Sequence, residues 1–349
     1  MKKTTVVILF GGRSAEYEVS LQSAGSVIES IDAEKYRVVL IGITRKGEWL
    51  KYNGDVQCIQ NDTWHKHPSC VPAIISPDPS AHGILVLNGR NITTIPVDVV
   101  FPILHGRNGE DGTVQGLLEI AGIPCVGCGM LSSALCMDKD VAHRLANLAG
   151  VNTPKSVVVF SSISDKELFE RTACLKYPLF VKPSNSGSSI GITKVFNQNK
   201  LKDALYIAFQ HDRKVLIEEA VDGFEVGCAI LGNEILTIGE IDEIELSQDF
   251  FDYTEKYTLK TSKIHMPARI DSYTARRIKE TAVIIYRALG CRGFARVDFF
   301  LTPENEIVFN EVNTIPGFTA NSRYPNMLKG IGMTFPEIID ELIRLAMEP

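Results

Sequence analysis

The sequence predicts a three-domain chain of the α/β and α+β classes, opening with a doubly wound parallel domain. Three observations carry this prediction. The chain has 349 residues, too many for one compact core when domains run to ~100–200 residues. Strands and helices alternate through the first third, which calls for parallel strands joined by crossover helices. At Pro124 to Gly129 a Pro/Gly-rich turn breaks that pattern, and short strands and hairpins follow. The expected domains are residues 1–124, 125–221 and 222–349, with an ω-loop over 247–263.

The elements follow in order. Val6-Val7-Ile8-Leu9-Phe10 is an unbroken apolar run and reads as a buried strand. With Lys2 and Lys3 before it, the N-terminus resembles a signal peptide. Its apolar run is only ~6 residues, however, and ends in Gly11-Gly12-Arg13 without a small-residue cleavage site. Residues 20–31 carry Leu21, Ala24, Val27, Ile28 and Ile31 at helical spacing. Residues 38–43 and 97–103 read as strands and 113–121 as a helix. Helix 138–149, strands 157–160, 179–182, 192–195 and 215–219, and helix 200–209 form a small α+β lid. Beyond Gly223 come longer strands, the polar loop 247–263, helix 272–289, strands 295–301 and 306–311, and a last helix, 335–347.

Composition narrows the function. Hydrophobic residues make up 45% and charged residues 22%, as in an ordinary globular protein. A net charge of -6 without a long basic run argues against nucleic acid as a partner. No stretch approaches the ~20 apolar residues of a membrane span. Eight scattered cysteines are too sparse for a disulfide scaffold and predict a reducing cytoplasm. Cys125 and Cys128 form a C-x-x-C, but no second pair supplies the ~4 ligands zinc takes.

Three segments carry chemistry. Arg296-Val297-Asp298 lies in one predicted strand, and Glu311-Val312-Asn313 ends the next, across a turn at Pro303-Glu304-Asn305. Side chains alternate along a strand, so a hairpin brings Asp298, Glu311 and Asn313 to one face. An oxygen-only set of this kind suits Mg²⁺ completed by water and nucleotide phosphates. A carboxylate inside Arg-Val-Asp-Phe-Phe is also costly to bury without a cation. The run from Lys182 to Gly191, rich in Ser and Gly, allows backbone N–H groups to cradle phosphate, although it lacks the ending of a P-loop. Glu218 and Glu225 follow a third apolar strand and can accept from an adenine amino group or ribose hydroxyls.

Together these segments resemble the ATP-grasp superfamily and, more closely, the D-alanine–D-alanine ligase family. The likeness runs from Gly11-Gly12-Arg13-Ser14-Ala15-Glu16 through His105 to Gly112, Met137-Asp138-Lys139 and Lys182 to Gly191, then to Arg296 to Asp298 and Asn310 to Gly317. It implies that Lys139 and Lys182 contact ATP phosphates with Ser189, and that Glu218 and Glu225 recognise adenine and ribose. Asp298, Glu311 and Asn313 would hold two Mg²⁺ ions, with Mn²⁺ able to replace them. Glu16 would bind the ammonium of a first D-alanine, near His105. Arg296 and the backbone of Gly317 would stabilise an acyl phosphate and a tetrahedral intermediate. Glu16, Ser188 and Tyr257 would form a hydrogen-bonded triad closing the ω-loop over the site. A cytoplasmic homodimer is implied as well.

The second substrate is read from two places. Glu255-Lys256-Tyr257 argues against D-lactate, since lactate-using relatives carry a His there and lack the Lys-Tyr pair. Arg323, after Ser322, stands where alanine-using ligases tend to carry Leu or Met. Its forked donor can reach a hydroxyl, and Phe251 and Asp242 are expected in the same pocket. Lys256 and Ser322 complete the expected substrate-binding set. The combination looks like the serine-type vancomycin-resistance ligases, which make D-Ala-D-Ser for altered peptidoglycan precursors. The alternative is a housekeeping ligase joining two D-alanines. An ATP-grasp enzyme making another product, or a non-catalytic nucleotide sensor, would lack the Glu16–Tyr257 constellation or the metal ligands.

Overall fold

The computed structural model describes residues 3–245 and 263–348. Three sheets organise the chain. The first has seven strands, in the order Asn91–Pro96, Gly83–Asn88, Val71–Ile75, Trp49–Tyr52, Tyr36–Ile43, Thr4–Gly11 and Val99–Ile103. Thr4–Gly11 runs parallel to both of its neighbours. The parallel core is therefore three strands wide. The four strands beyond Tyr36–Ile43 extend it antiparallel.

The apolar run of the first strand follows from burial on both faces. Val6, Ile8 and Phe10 pack with Leu21, Ala24 and Val27 of the helix Tyr17–Ser30. Val7 and Leu9 pack on the other face with Val114 and Leu118 of the helix Thr113–Ile120. Gly11 ends the strand at φ +87, and a Cβ there would collide with the carbonyl oxygen of Ile43. The chain can thus turn tightly above the sheet and deliver Glu16 to the C-terminal ends of the parallel strands.

A four-stranded antiparallel sheet follows, in the order Thr193–Val195, Leu179–Pro183, Lys214–Glu219 and Ser156–Phe160. It packs on Leu201, Ala204, Leu205 and Ala208 of the helix Leu201–Phe209. The third sheet is antiparallel, in the order Lys263–His265, Leu236–Glu245, Phe224–Gly232, Phe294–Leu301 and Ile307–Asn313. The helix Ser272–Ala288 covers one of its faces through Ile278, Ala282 and Ile285.

The last helix, Phe335–Ala346, starts at a capping box between Thr334 and Glu337, with Pro in its first turn. Ile338, Ile339, Leu342 and Ile343 join the core of the first sheet. Each such burial contributes ~1.5–3 kcal/mol, so the helix fastens the C-terminal region to the N-terminal one. No helix among the described residues is long and apolar enough to cross a membrane.

Candidate active site

Strand register builds the acidic end of the site. Asp298 stands opposite Glu311 and Arg296 opposite Asn313, with a bulge after Asp298. All four share one face, while Val297, Phe299 and Val312 sit in the core on the other. Arg296 grips Asp298 with Nε at 2.8 Å from Oδ1 and a second nitrogen at 2.7 Å from Oδ2. Asn313 Nδ2 donates to the same Oδ2 at 2.9 Å. Lys139 Nζ lies 3.3 Å from Glu311 Oε2. Among the described residues, no three His, Cys, Asp or Glu side chains converge as a metal cage. Two carboxylates and an amide fit Mg²⁺, which keeps water and phosphate oxygens for the rest of its octahedron.

A cleft between the second and third sheets opens beside this cluster. It is lined by Lys139, Lys182, Ser189, Glu218, Glu225 and Glu311, with Phe180 and Ile192 as apolar walls. Lys182 pairs with Glu218 Oε1 at 2.6 Å, both side chains being 5% exposed. Glu218 Oε2 is buried and has no hydrogen-bond partner among the described residues. An orphaned acceptor of this kind costs ~1–3 kcal/mol, and a nucleotide amino group would satisfy it. Lys139 Nζ donates to the carbonyl of Ser186 at 2.8 Å, so the lysine reaches the floor of the loop. Ser188 and Ser189 hold φ +49 and +58, the left-handed region that side chains avoid. Non-glycine residues held there mark a loop whose shape is imposed by its surroundings.

The surroundings include Glu16. The Ser188 hydroxyl donates to the Glu16 carboxylate, and Gly187 lies so close that a Cβ there would sit 2.9 Å from Glu16 Oε2. The loop from Lys182 to Gly191 is therefore tied to the first domain, and Glu16 and Ser188 are brought together. Tyr257, Lys256 and Phe251, expected beside it, lie outside the described residues, as does all of the expected ω-loop over 247–263 except Lys263, which begins a strand.

His105 is buried, and burial lowers its pKa and keeps the ring neutral. Its Nδ1 lies 2.9 Å from the carbonyl of Ile315 and its Nε2 3.1 Å from the Ser23 hydroxyl. Both nitrogens are thus engaged within the protein. Ser322 caps Thr319, its Oγ accepting the Thr319 N–H at 3.0 Å. It also sits next to Gly317, whose Cβ position would be 3.3 Å from that oxygen.

Arg323 is buried rather than turned to solvent. Its Nε and one terminal nitrogen each donate to Asp242 at 2.7 Å, and the other donates to Glu225 at 2.9 Å. Asp298 Oδ1 lies 3.6 Å away. Arg323 and Asp242 are brought together as expected. Glu225, expected on the nucleotide alone, bridges the nucleotide cleft and this pair.

Several supporting residues had no sequence signal of their own. Lys214 Nζ lies 2.9 Å from Asp138 Oδ1 and 2.6 Å from Asp140 Oδ2. The Ser184 hydroxyl donates to Asp138 at 2.7 Å. Together they fix the start of the helix Lys139–Leu148, and hence Lys139. Nothing local to Lys214 announces this, because its partners come from another element.

Three sheets around a lysine- and acid-lined cleft define a three-domain ATP-grasp architecture. Models of the D-ala D-ala ligase N-terminus and C-terminus match residues 5–128 and 145–344. A D-alanine–D-alanine ligase of Caldicellulosiruptor bescii is 44% identical, over 100% of this chain and 96% of its own length. The vancomycin B-type resistance protein VanB of Enterococcus faecalis is 45% identical, over 100% of both chains. The crystal structure of VanG D-Ala:D-Ser ligase from Enterococcus faecalis superposes with a TM-score of 0.92 at 55% identity, covering 99% of this chain and 100% of that one. The chain belongs to the D-alanine–D-alanine ligase family and is a ligase.

Proposed function

We propose that this chain is an ATP-dependent D-alanine–D-serine ligase that makes D-Ala-D-Ser by way of a D-alanyl phosphate. The observation that carries the serine reading is the buried Arg323–Asp242 pair beside Asp298. It puts charged hydrogen-bonding groups where an alanine methyl would want an apolar wall. The 55% identity to the VanG D-Ala:D-Ser ligase supports the same reading. The relatives described as D-alanine–D-alanine ligases, such as that of Caldicellulosiruptor bescii at 44% identity, keep a housekeeping role as the second reading.

Residues 1–124 then serve as the substrate-binding unit, 125–221 as the lid and 222–349 as the catalytic unit. Glu16 binds the ammonium of the first D-alanine. The carboxylate of that D-alanine attacks the γ-phosphorus of ATP, a C–O–P linkage forms, and the bond to the β-phosphate oxygen breaks to release ADP. Lys139 and Lys182 neutralise the charge on the transferring group. Asp298, Glu311 and Asn313 would hold Mg²⁺, which supplies further neutralisation there. The amine of the second substrate attacks the acyl carbon, loses a proton, and phosphate leaves. Arg296 and the Gly317 N–H stabilise the oxyanion formed at that step.

Mass spectrometry of products from equimolar D-alanine and D-serine, with ATP and Mg²⁺ near neutral pH, tests this directly. D-Ala-D-Ser is expected to dominate. A product that is mainly D-Ala-D-Ala would sink the serine reading and leave the family reaction standing.

A further inference from the structure

The segment Ile315-Pro316-Gly317-Phe318 has an uneven distribution of hydrogen bonds. Pro316 has no N–H. The Ile315 N–H donates to Glu110 Oε1 at 3.1 Å, and the Phe318 N–H donates to Ser23 Oγ at 3.3 Å. Among the described residues, the Gly317 N–H between them has no protein partner. The segment is half-exposed only at Gly317, while Ile315, Pro316 and Phe318 are buried. One free donor is thus held in place by two anchored neighbours.

Both anchors continue into the first domain. Glu110 Oε2 accepts the Gly106 N–H at 2.6 Å, so its two oxygens join Gly106 to Ile315. Ser23, already accepting from Phe318, has its own hydrogen to give to His105 Nε2 at 3.1 Å. That leaves the His105 proton on Nδ1, which donates to the Ile315 carbonyl at 2.9 Å. The Ser14 hydroxyl donates to the His105 carbonyl at 2.7 Å and accepts the Glu16 N–H at 3.2 Å. A continuous chain therefore runs from Glu16 to the peptide groups on either side of Gly317.

We propose that Glu110 and Ser23 are positioning residues that hold the Gly317 N–H toward the reacting acyl group, in register with the first substrate bound at Glu16. Neither touches substrate; each acts through a peptide N–H. This rests on the reading of Gly317 as the oxyanion donor. The donor matters most in the second half-reaction, when the amine attacks. A misplaced Gly317 lets D-alanyl phosphate form and then hydrolyse, so ATP is consumed without dipeptide.

Glu110→Gln and Ser23→Ala are nearly isosteric, so the fold is expected to survive. In Glu110→Gln, one carboxylate oxygen becomes an amide nitrogen that cannot accept. Two readouts test the proposal in the full-length chain with ATP, Mg²⁺ and D-amino acids. Phosphate released per dipeptide formed should rise from near one to about two or more in both variants, with dipeptide kcat down by about tenfold and the KM for ATP unchanged. Amide exchange should quicken by at least about tenfold at Ile315 or Gly106 in Glu110→Gln, since the amide keeps only one acceptor, and at Phe318 in Ser23→Ala. Coupled turnover at wild-type kcat in both variants would overturn the proposal. So would a loss of kcat that tracks a fall in melting temperature with the ratio still one. A wild-type chain that never couples phosphate release to dipeptide would overturn the ligase reading and this inference with it.

Discussion

Arg323 has its guanidinium occupied by two carboxylates, and this alters what its substitution should do. Asp242 is 1% exposed, and besides Arg323 it accepts only the Gly227 N–H at 3.1 Å among the described contacts. Removing one partner of a buried pair leaves an uncompensated charge and typically costs ~3–5 kcal/mol. Arg323→Met is therefore expected to lower stability by about that much and to shift products from D-Ser toward D-Ala. Replacing both residues, as in Arg323→Met with Asp242→Leu, should recover much of the stability but none of the serine preference. A urea-unfolding double-mutant cycle with product ratios checks both parts, and additive losses in the double variant would remove the pair from the account. The sequence made Arg323 and Asp242 candidates for one pocket only through the family likeness. That Glu225 joins them was not legible, because strand pairing between Phe224–Gly232 and Leu236–Glu245, with Gly227 opposite Asp242, sets its place.

At the scale of elements, the helix Lys139–Leu148 shows how local rules and distant partners combine. Asp138, expected as the first residue of the helix, instead caps it, accepting the Val141 N–H at 3.3 Å. Its pKa is lowered: burial pushes it up, but the Lys214 ammonium and the Ser184 hydroxyl outweigh that. A depressed carboxyl contributes stability above its unfolded value of 3.8, and that contribution is lost as pH falls through the folded value. The histidines act in a higher window. His143 donates from Nε2 to the Asn310 carbonyl at 2.8 Å, and burial lowers its pKa, as it does for His105. Both therefore take up a proton less readily when folded than in the unfolded chain, where the ordinary value is 6.5. Stability should thus fall as pH drops below 6.5, by up to about 1.4 kcal/mol per pH unit for each histidine. His143→Gln keeps an N–H donor and removes one titrating group, so melting temperature followed from pH 7 to 5 should fall less steeply. An unchanged slope would exclude His143 as a contributor. The helices and strands expected from sequence were legible because their apolar spacing is regular, whereas the core strands Val71–Ile75 and Gly83–Asn88 and the helix Met130–Met137 were not read. The strand Asn91–Pro96 was not, since it is an exposed edge with nearly every residue facing solvent. Its one signal was the two-residue turn Gly89-Arg90, with Asn88 paired to Asn91 and Gly89 at φ +63.

Across the whole molecule, the nucleotide cleft is where separately folded sheets meet. Lys182 and Glu218 stand on the second sheet, while Asn310, Glu311 and Phe300 stand on the third. Lys139 reaches both, with Ser186 at 2.8 Å and Glu311 at 3.3 Å. The sequence made Lys139, Lys182, Glu218 and Glu311 candidates, but not Phe300 or Asn310, and not the bridging, because no local pattern encodes how two sheets face one another. A ligand gripping both sheets binds the folded chain and not the unfolded one. At a concentration 100 times its Kd it should add about 2.7 kcal/mol. With an unfolding entropy of ~2.1 cal/mol/K per residue, a non-hydrolysable ATP analogue with Mg²⁺ should raise the melting temperature by about 4 °C. Part of that gain depends on the acids. Without a divalent cation, the phosphates would meet Asp298 and Glu311 as like charges, so EDTA should remove most of the shift. Lys139→Ala should do the same with the metal present, because the link from Ser186 to Glu311 through the lysine is then lost. A full shift that persists in EDTA would refute Asp298, Glu311 and Asn313 as the metal set. A full shift in Lys139→Ala would show that the two sheets are not joined through that lysine.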